Sequence, residues 1–438
     1  MTSYDLDYGR GCVRIMRVLV VGGGASGLLV AVNLLRKSKD CAVTIIEPSE
    51  KLGLGVAYST IDPDHLLNVP AGRMSGLVEE PKSLCEWTGV DENDFVSRQQ
   101  YGRYLNFLLS REIKSGNRFE HVRSRAIDLS ELAEGFSCKL ENGEVLQGDS
   151  IVLALGNSES ILPTMFDDLP MSKRVIRDVW REGLASEFDS VAVIGTGLTF
   201  YDIALSILRD RPSAVVHGIS RNGLLPLPHL RHRAPALEVP ESARRSAKGI
   251  RDYLTSMGDK WREAQDGIRH DLQVIWSNFP DSEKKAFINE HFRWWNSLRH
   301  RSAPEIDERI SEAISLGRIV IHKAGVDSIE DRGNSLLLSL SNGKSLEVEQ
   351  VINCCGNQFF ATHPLFETLE RKGMLARGPL NYGVACDVRT LALKDKEGNV
   401  HKRIFGIGPI LVGELLETTA IPEIKSEAEL IARQLTSL

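Results

Sequence analysis

Cysteine is sparse: seven residues in a chain of 438, none in a Cys-x-x-Cys pair. An odd, scattered set excludes a disulfide framework and fits a reducing cytoplasm. The adjacent Cys354 and Cys355 read as the end of a buried strand rather than a redox pair, and no metal site is expected. An excess of charge of one sign is also missing. Lysine and arginine number 53 against 59 aspartates and glutamates, so no strong field draws nucleic acid or an anionic membrane. Nor is there a clean membrane span. Residues 18–35 carry no charge, but four glycines, a serine and an asparagine interrupt them, where a spanning helix needs about 20 mostly apolar residues. Residues 1–15 mix acids with bases and lack the apolar run of a secretory signal; they are expected to be a disordered extension, with Met16 as an alternative start.

What is present comes twice. VLVVGGGASGLLVA (residues 18–31) and VAVIGTGLTFYDIA (residues 191–204) each place a β-branched run before a glycine turn and a helical pattern after it. In the first, Gly22 permits the tight turn, Gly24 admits a pyrophosphate to the backbone, and Gly27 lets helix pack on strand. Ala25 and Ser26 open a helix whose N-terminus favours negative charge. Glu47 ends the next strand, twenty residues after Gly27, where a carboxylate accepts ribose hydroxyls. The second cassette repeats the first two glycines as Gly195 and Gly197, followed by Leu198 and Thr199, but Phe200 stands where Gly27 would be. That is tolerable if helix and strand lie further apart. Its next strand ends in Ser220 and Arg221 rather than an acid, which suits the 2′-phosphate of NADP, with NAD as the alternative.

Each cassette is followed by a similar stretch, residues 121–156 and 321–356, with an Asn-Gly hairpin and a buried closing strand ending at Gly156 or Gly356. The expected fold is α/β: two Rossmann-like dinucleotide-binding domains, for FAD and NADP, each with a β-meander. Between the second cassette and its meander, residues 224–314 carry four tryptophans and helical periodicity, a mostly helical lobe inserted into the second unit. The expected boundaries are 16–160 with 340–438 for the FAD domain, and 161–223 with 315–339 for the NAD(P) domain. The final helix is expected to begin near Thr419.

With both cassettes placed, the chain resembles the bacterial FAD-NAD(P)-binding protein family, related in design to flavin-containing and N-hydroxylating monooxygenases. The resemblance rests on VVGGGASG, LGLGVAYSTIDPDHLLNVPAGRMS, RQQYGRYL, VIGTGLTFYDIAL, ISRNGLLP, RHRSAPE, VINCCGN and GIGPILVGELLETTAIPEI. It implies that Gly22, Gly24, Gly27 and Glu47 hold the ADP half of FAD, and that His65, Asn68, Arg73 and Met74 lie near the flavin ring or pyrophosphate. Many FAD enzymes of this design place an Asp after the last strand's glycine to bind ribityl hydroxyls. Here the run is Gly406-Ile407-Gly408-Pro409, so backbone near Gly408, or residues 417–419 with Thr418 and Thr419, are the expected substitutes.

The implied activity is an NAD(P)H-using flavin monooxygenase acting on a small amine or similar nucleophile through a flavin hydroperoxide. The alternatives are an NAD(P)H:acceptor flavin reductase and a non-catalytic flavin-bound sensor or assembly protein. Lacking Cys-x-x-Cys, the chain does not read as a disulfide reductase. The basic clusters of the lobe, Arg231 with Arg233 and Arg299 with Arg301, are the candidate substrate anchors; clamping NADPH or pairing with acids such as Glu305 is the other reading. The partner expected is a small-molecule substrate, and the oligomeric state stays open.

Overall fold

In the strand Met16–Val21, the four residues from Val18 on are all apolar and at most 4% exposed, with no polar face. Such a strand is stable only when covered on both sides, as in a parallel sheet. In the computed structural model, which describes residues 15–113, 118–157, 161–184, 187–230, 234–356 and 363–437, it lies inside a six-stranded sheet. The order is Ala392–Lys394, Val400–Gly406, Ser150–Leu153, Met16–Val21, Cys41–Ile46, Phe119–Val122, and only the first of these is antiparallel to its neighbour. Helix Ala25–Lys37 packs against Arg98–Glu112 and Ile421–Thr436. All ten of its residues from Ser26 to Leu35 are buried, which accounts for the uncharged stretch. Among the described residues no helix is long and apolar enough to cross a membrane.

A second sheet of five parallel strands repeats the plan, in the order Ile319–Lys323, Val215–Ser220, Ser190–Ile194, Gln350–Asn353, Val175–Ile176. Each sheet has its own three-stranded antiparallel meander: Ala126–Glu131, Phe136–Leu140 and Val145–Gly148 in the first unit, Val326–Asp331, Leu336–Leu340 and Ser345–Val348 in the second. Both hairpins turn on a glycine of positive φ, Gly143 at 87° and Gly343 at 80°, which Asn-Gly supplies without strain.

The expected boundary at residue 340 is corrected. Gln350–Asn353 pairs with Ser190–Ile194, so the second unit runs to residue 356 and the chain rejoins the first only afterwards. The inserted lobe is helical, as expected, but the periodic stretch around 253–275 breaks at Gly258 (φ +49°), between Ala247–Ser256 and Trp261–Asn278. Trp276, Trp295 and Phe287 fill its core together with Leu416 from the C-terminal segment.

Phe200 has a partner on the neighbouring strand. Its ring is buried, and a Cβ on Gly218, in the neighbouring strand Val215–Ser220, would lie 2.8 Å from the ring's Cζ. A glycine on that strand leaves the ring its room. Gly218→Ala is therefore expected to overpack this contact and cost about 1–3 kcal/mol in urea unfolding. Adding Phe200→Leu should recover part of that loss, whereas simple additivity of the two changes would show that they do not share the space.

Candidate functional site

The first cradle is shaped by contact with the closing strand. A Cβ on Gly22 (φ +102°) would lie 2.2 Å from the Ala154 carbonyl oxygen, and one on Gly27 would lie 2.0 Å from that of Gly22. No side chain fits either place. Gly24 differs: within 4 Å a Cβ there would meet only the Cα of Gly55, itself a glycine of φ +49°. The helix end is thus bordered by bare backbone, as close approach of a pyrophosphate requires. Glu47 accepts from the backbone N–H of Gly23 and of Ser49, both at 2.9 Å, which fixes its carboxylate beside the cradle with lone pairs left for ribose hydroxyls. Gly156 (φ +74°) has nothing within 4 Å of a Cβ and keeps the end of the closing strand open.

The second cradle repeats the first. A Cβ on Gly195 (φ +106°) would meet the Cys354 carbonyl oxygen at 2.4 Å, while Gly197 is exposed and has nothing within 4 Å. Leu198 and Thr199 form the first helical turn. Ser220 is committed to the loop: its hydroxyl lies 2.7 Å from that of Thr196 and accepts from the Gly223 N–H. Arg221 is exposed beside it, leaving the guanidinium as the group that can reach a ligand. Burial raises the thiols of Cys354 and Cys355, so neither is a ready thiolate.

His65 joins the two units. Its ring nitrogens lie 2.8 Å from the Thr60 hydroxyl and 2.9 Å from that of Ser206, on the second cassette's helix. Ser206 in turn donates to Asp62 at 2.6 Å, and Arg98 pairs with the buried Asp202 at 2.7 Å. His65 thus faces the seam between units, where the resemblance placed it near the flavin. Asn68 accepts from His229 through its backbone carbonyl, Met74 is buried and Arg73 is half-buried.

Beyond the last strand, Gly408 (φ +75°) lies against the first helix, since a Cβ there would be 2.8 Å from the Ser26 hydroxyl. Its N–H donates to the Glu427 carboxyl at 2.9 Å, and the buried Thr418 hydroxyl lies 2.6 Å from the same carboxyl. Thr419 is exposed, one residue before the cap of the final helix. Leu416 has φ 56° and ψ −52°, and the Glu417 N–H donates to the Leu415 carbonyl at 2.6 Å. This is the rare γ-turn with positive φ, a strained form for leucine.

Arg299 and Arg301 are both held by partners within the chain. Arg299 pairs with Glu417, with side chains 9% and 3% exposed, and donates to Asn296. Arg301 is buried, pairs with Asp266 at 3.3 Å and donates to Gln265. The reading that these arginines pair with acids holds, though with Glu417 and Asp266 rather than Glu305. Arg231 and Arg233 lie outside the described residues. Glu427 and Gly218 went unnoticed in the sequence. Only Glu427 left a visible signal, an acid in the apolar stripe of Ile424, Ala428 and Ile431.

Comparison with known proteins now bears on these cradles. Residues 19–158 match the family model described as FAD-NAD(P)-binding. The segment holding the first cradle is thus an FAD-NAD(P)-binding domain. By sequence, no curated protein matches the chain. Among solved structures, it is similar to an ornithine N-hydroxylase of Kutzneria sp. 744 with reduced FAD, NADP+ and L-ornithine, at 14% identity and TM-score 0.67, covering 96% of this chain and 99% of that one. It is also similar to the cadaverine monooxygenase of desferrioxamine biosynthesis from Erwinia amylovora, bound to FAD, at 12% identity and TM-score 0.67, covering 97% and 95%. A third is the bacillithiol disulfide reductase of Staphylococcus aureus, at 15% identity and TM-score 0.58, covering 96% and 98%. At these identities the likeness is one of fold: mixed α/β, with two Rossmann-like units and helical regions.

Removing one partner of the Arg299–Glu417 pair leaves a buried charge uncompensated. Arg299→Ala is expected to lower stability by about 3–5 kcal/mol in denaturant unfolding. A stable variant with only a raised KM would return Arg299 to substrate binding.

Proposed function

We propose that the chain is an FAD-dependent, NAD(P)H-using oxidoreductase of the monooxygenase type, with a small amine or similar nucleophile as substrate. The observation that carries this reading is the pair of open glycines, Gly24 and Gly197, each at a helix N-terminus and each preceded by a glycine hard against a closing-strand carbonyl. One chain with two such cradles suits a resident and a visiting dinucleotide. Glu47 favours the first as the FAD site, its carboxylate facing ribose hydroxyls, and Arg221 favours NADPH at the second. When bound, FAD supplies the transfer of two electrons from the nicotinamide and the activation of oxygen. The protein's part is to hold the cradles at a fixed spacing, which the Arg98–Asp202 and His65–Ser206 contacts do across the seam.

The amine is proposed from the likeness to the ornithine and cadaverine enzymes. Electron delivery to another acceptor is the second reading, supported by the likeness to the disulfide reductase. A protein dithiol at Cys354 and Cys355 does not supply that route, because burial holds both thiols up.

Anaerobic NADPH is expected to bleach the flavin of the purified protein, and an oxidised spectrum that persists would argue for a sensor. In air, a hydroxylated amine formed in step with NADPH use supports the monooxygenase reading, and peroxide alone supports the reductase. Arg221→Ala should reduce the preference for NADPH over NADH by roughly 10- to 100-fold in kcat/KM, the worth of a hydrogen bond to a charged group. An unchanged ratio would refute its role.

A further inference from the structure

Three atoms around Thr418 present a counting problem. The Thr418 hydroxyl lies 2.6 Å from Glu427 Oε1 and 3.1 Å from the Gly408 carbonyl oxygen, while the Gly408 N–H donates to Glu427 Oε2 at 2.9 Å. Both the carboxyl and the carbonyl are acceptors when Glu427 is ionised, and threonine has one hydrogen to give. Only a neutral Glu427 serves every contact: its own proton goes to the Thr418 oxygen, and the Thr418 hydrogen goes to the Gly408 carbonyl. Glu427 is 4% exposed, and among the described residues no cation pairs with it.

The groups that face it agree. Glu423, one turn earlier on the same helix, is held by Arg269 of the lobe at 3.0 Å. Glu417, from the preceding loop, is held by Arg299. Cys386, from the segment beside the last strand, has its thiol pushed far up by burial, with Glu414 and Glu427 adding to the rise. Ser26, on the first-cassette helix, brings a hydroxyl and no charge. Burial raises the Glu427 carboxyl to about 7, with Glu423 adding to the rise and the bonds from Thr418 and Gly408 opposing it.

We propose that Glu427 is a positioning residue for FAD: as a neutral acid it passes a chain of hydrogen bonds through Thr418 and fixes the Gly408 loop against Ser26, where many FAD enzymes instead use an Asp after the last strand. The role rests on the FAD reading above. Gly408 touches the first turn of the helix whose N-terminus would face the cofactor's pyrophosphate, so ionising Glu427 both breaks this hydrogen-bond relay and sets a second anion near the first. FAD therefore binds best to the protonated form, and its retention weakens as pH rises past about 7.

The linked effect on stability has a definite sign. The folded chain keeps a proton that the unfolded chain loses in the ordinary carboxylate range. The relay's contribution is therefore present at low pH and declines as pH rises to about 7.

The test follows FAD release from the holoprotein on dilution, by flavin fluorescence, from pH 5.5 to 9. The wild-type rate is expected to rise about tenfold across neutrality, the effect of one unit of pKa difference between the FAD-bound and free forms. Glu427→Gln, whose amide donates to Thr418 and whose carbonyl accepts from Gly408, should release FAD slowly at every pH. Thr418→Val, which breaks the relay without touching the acid, should release it fast at every pH. A flat wild-type profile, a Glu427→Gln variant with the wild-type pH dependence, or a Thr418→Val variant with the wild-type profile each overturns the role. Folded wild-type protein that takes up no FAD at any pH overturns the proposed function and this role with it. In that case thermal unfolding still separates them: wild type losing stability relative to Glu427→Gln as pH rises toward 7 shows the relay without the cofactor.

Discussion

A glycine pressed against a carbonyl is the constraint from which both cradles follow. At Gly22 and Gly195 the first strand of each unit ends so close to the closing strand that a Cβ would sit 2.2 or 2.4 Å from a carbonyl oxygen. Positive φ at these residues turns the chain at once into a helix, and the helix N-terminus is left at the carboxyl end of a parallel sheet. That is the place where open α/β sheets bind ligands, because unpaired backbone N–H groups and the helix dipole converge there. The third glycine answers a separate need, the fit of helix to sheet, so it can be traded. In the first unit Gly27 lets the helix approach the Gly22 carbonyl; in the second, Gly218 on the neighbouring strand leaves room for the ring of Phe200.

The two units do not float independently. Polar contacts around His65, Asp62, Arg98, Asp202 and Ser206 tie the second helix to the first unit. The inserted lobe adds a second tie at the far end of the chain. Trp276 donates to the Gly413 carbonyl, Trp295 to Glu417, and Leu416 enters the lobe's core. The strained turn at Leu416 is held by this packing, since burying leucine in an apolar core is worth about 1.5–3 kcal/mol and an αL-type or rarer conformation costs about 1–3. The lobe thus helps to shape the loop that lies against Ser26.

How legible each feature was depends on whether its cause was local. The glycine turns, the Asn-Gly hairpins and the all-buried helix Ala25–Lys37 are dictated by neighbours in sequence, and the chain displays them openly. The boundary near residue 340 was misplaced for the opposite reason. The strands Ser150–Leu153 and Gln350–Asn353 have the same buried character, and nothing local says which sheet each joins. Arg299 and Arg301 read as a basic cluster because their partners lie elsewhere, at Glu417 and Asp266. Gly218 looks like a weak point in a strand until Phe200 is seen above it. The contact that ties His65 to the second unit likewise depends on Ser206, far along the chain.

Among the buried and half-buried acids of the C-terminal segment, Glu417, Glu423 and Glu427 lie near the Gly408 loop, and the manner in which each is tolerated divides the labour there. Glu417 and Glu423 are matched by guanidinium groups from the lobe, Arg299 and Arg269. These pairs hold one orientation across the physiological pH range, since arginine does not release its proton there, and they act as fixed struts. Glu427 has no such partner, and a buried carboxyl without a cation is tolerated best by keeping its proton. A strut and a titrating group within a few residues of each other do different things. The first sets where the loop is; the second makes the loop's last hydrogen bonds depend on the charge brought near them. A dinucleotide, which carries its negative charge on phosphates, is the kind of ligand to which such a group responds.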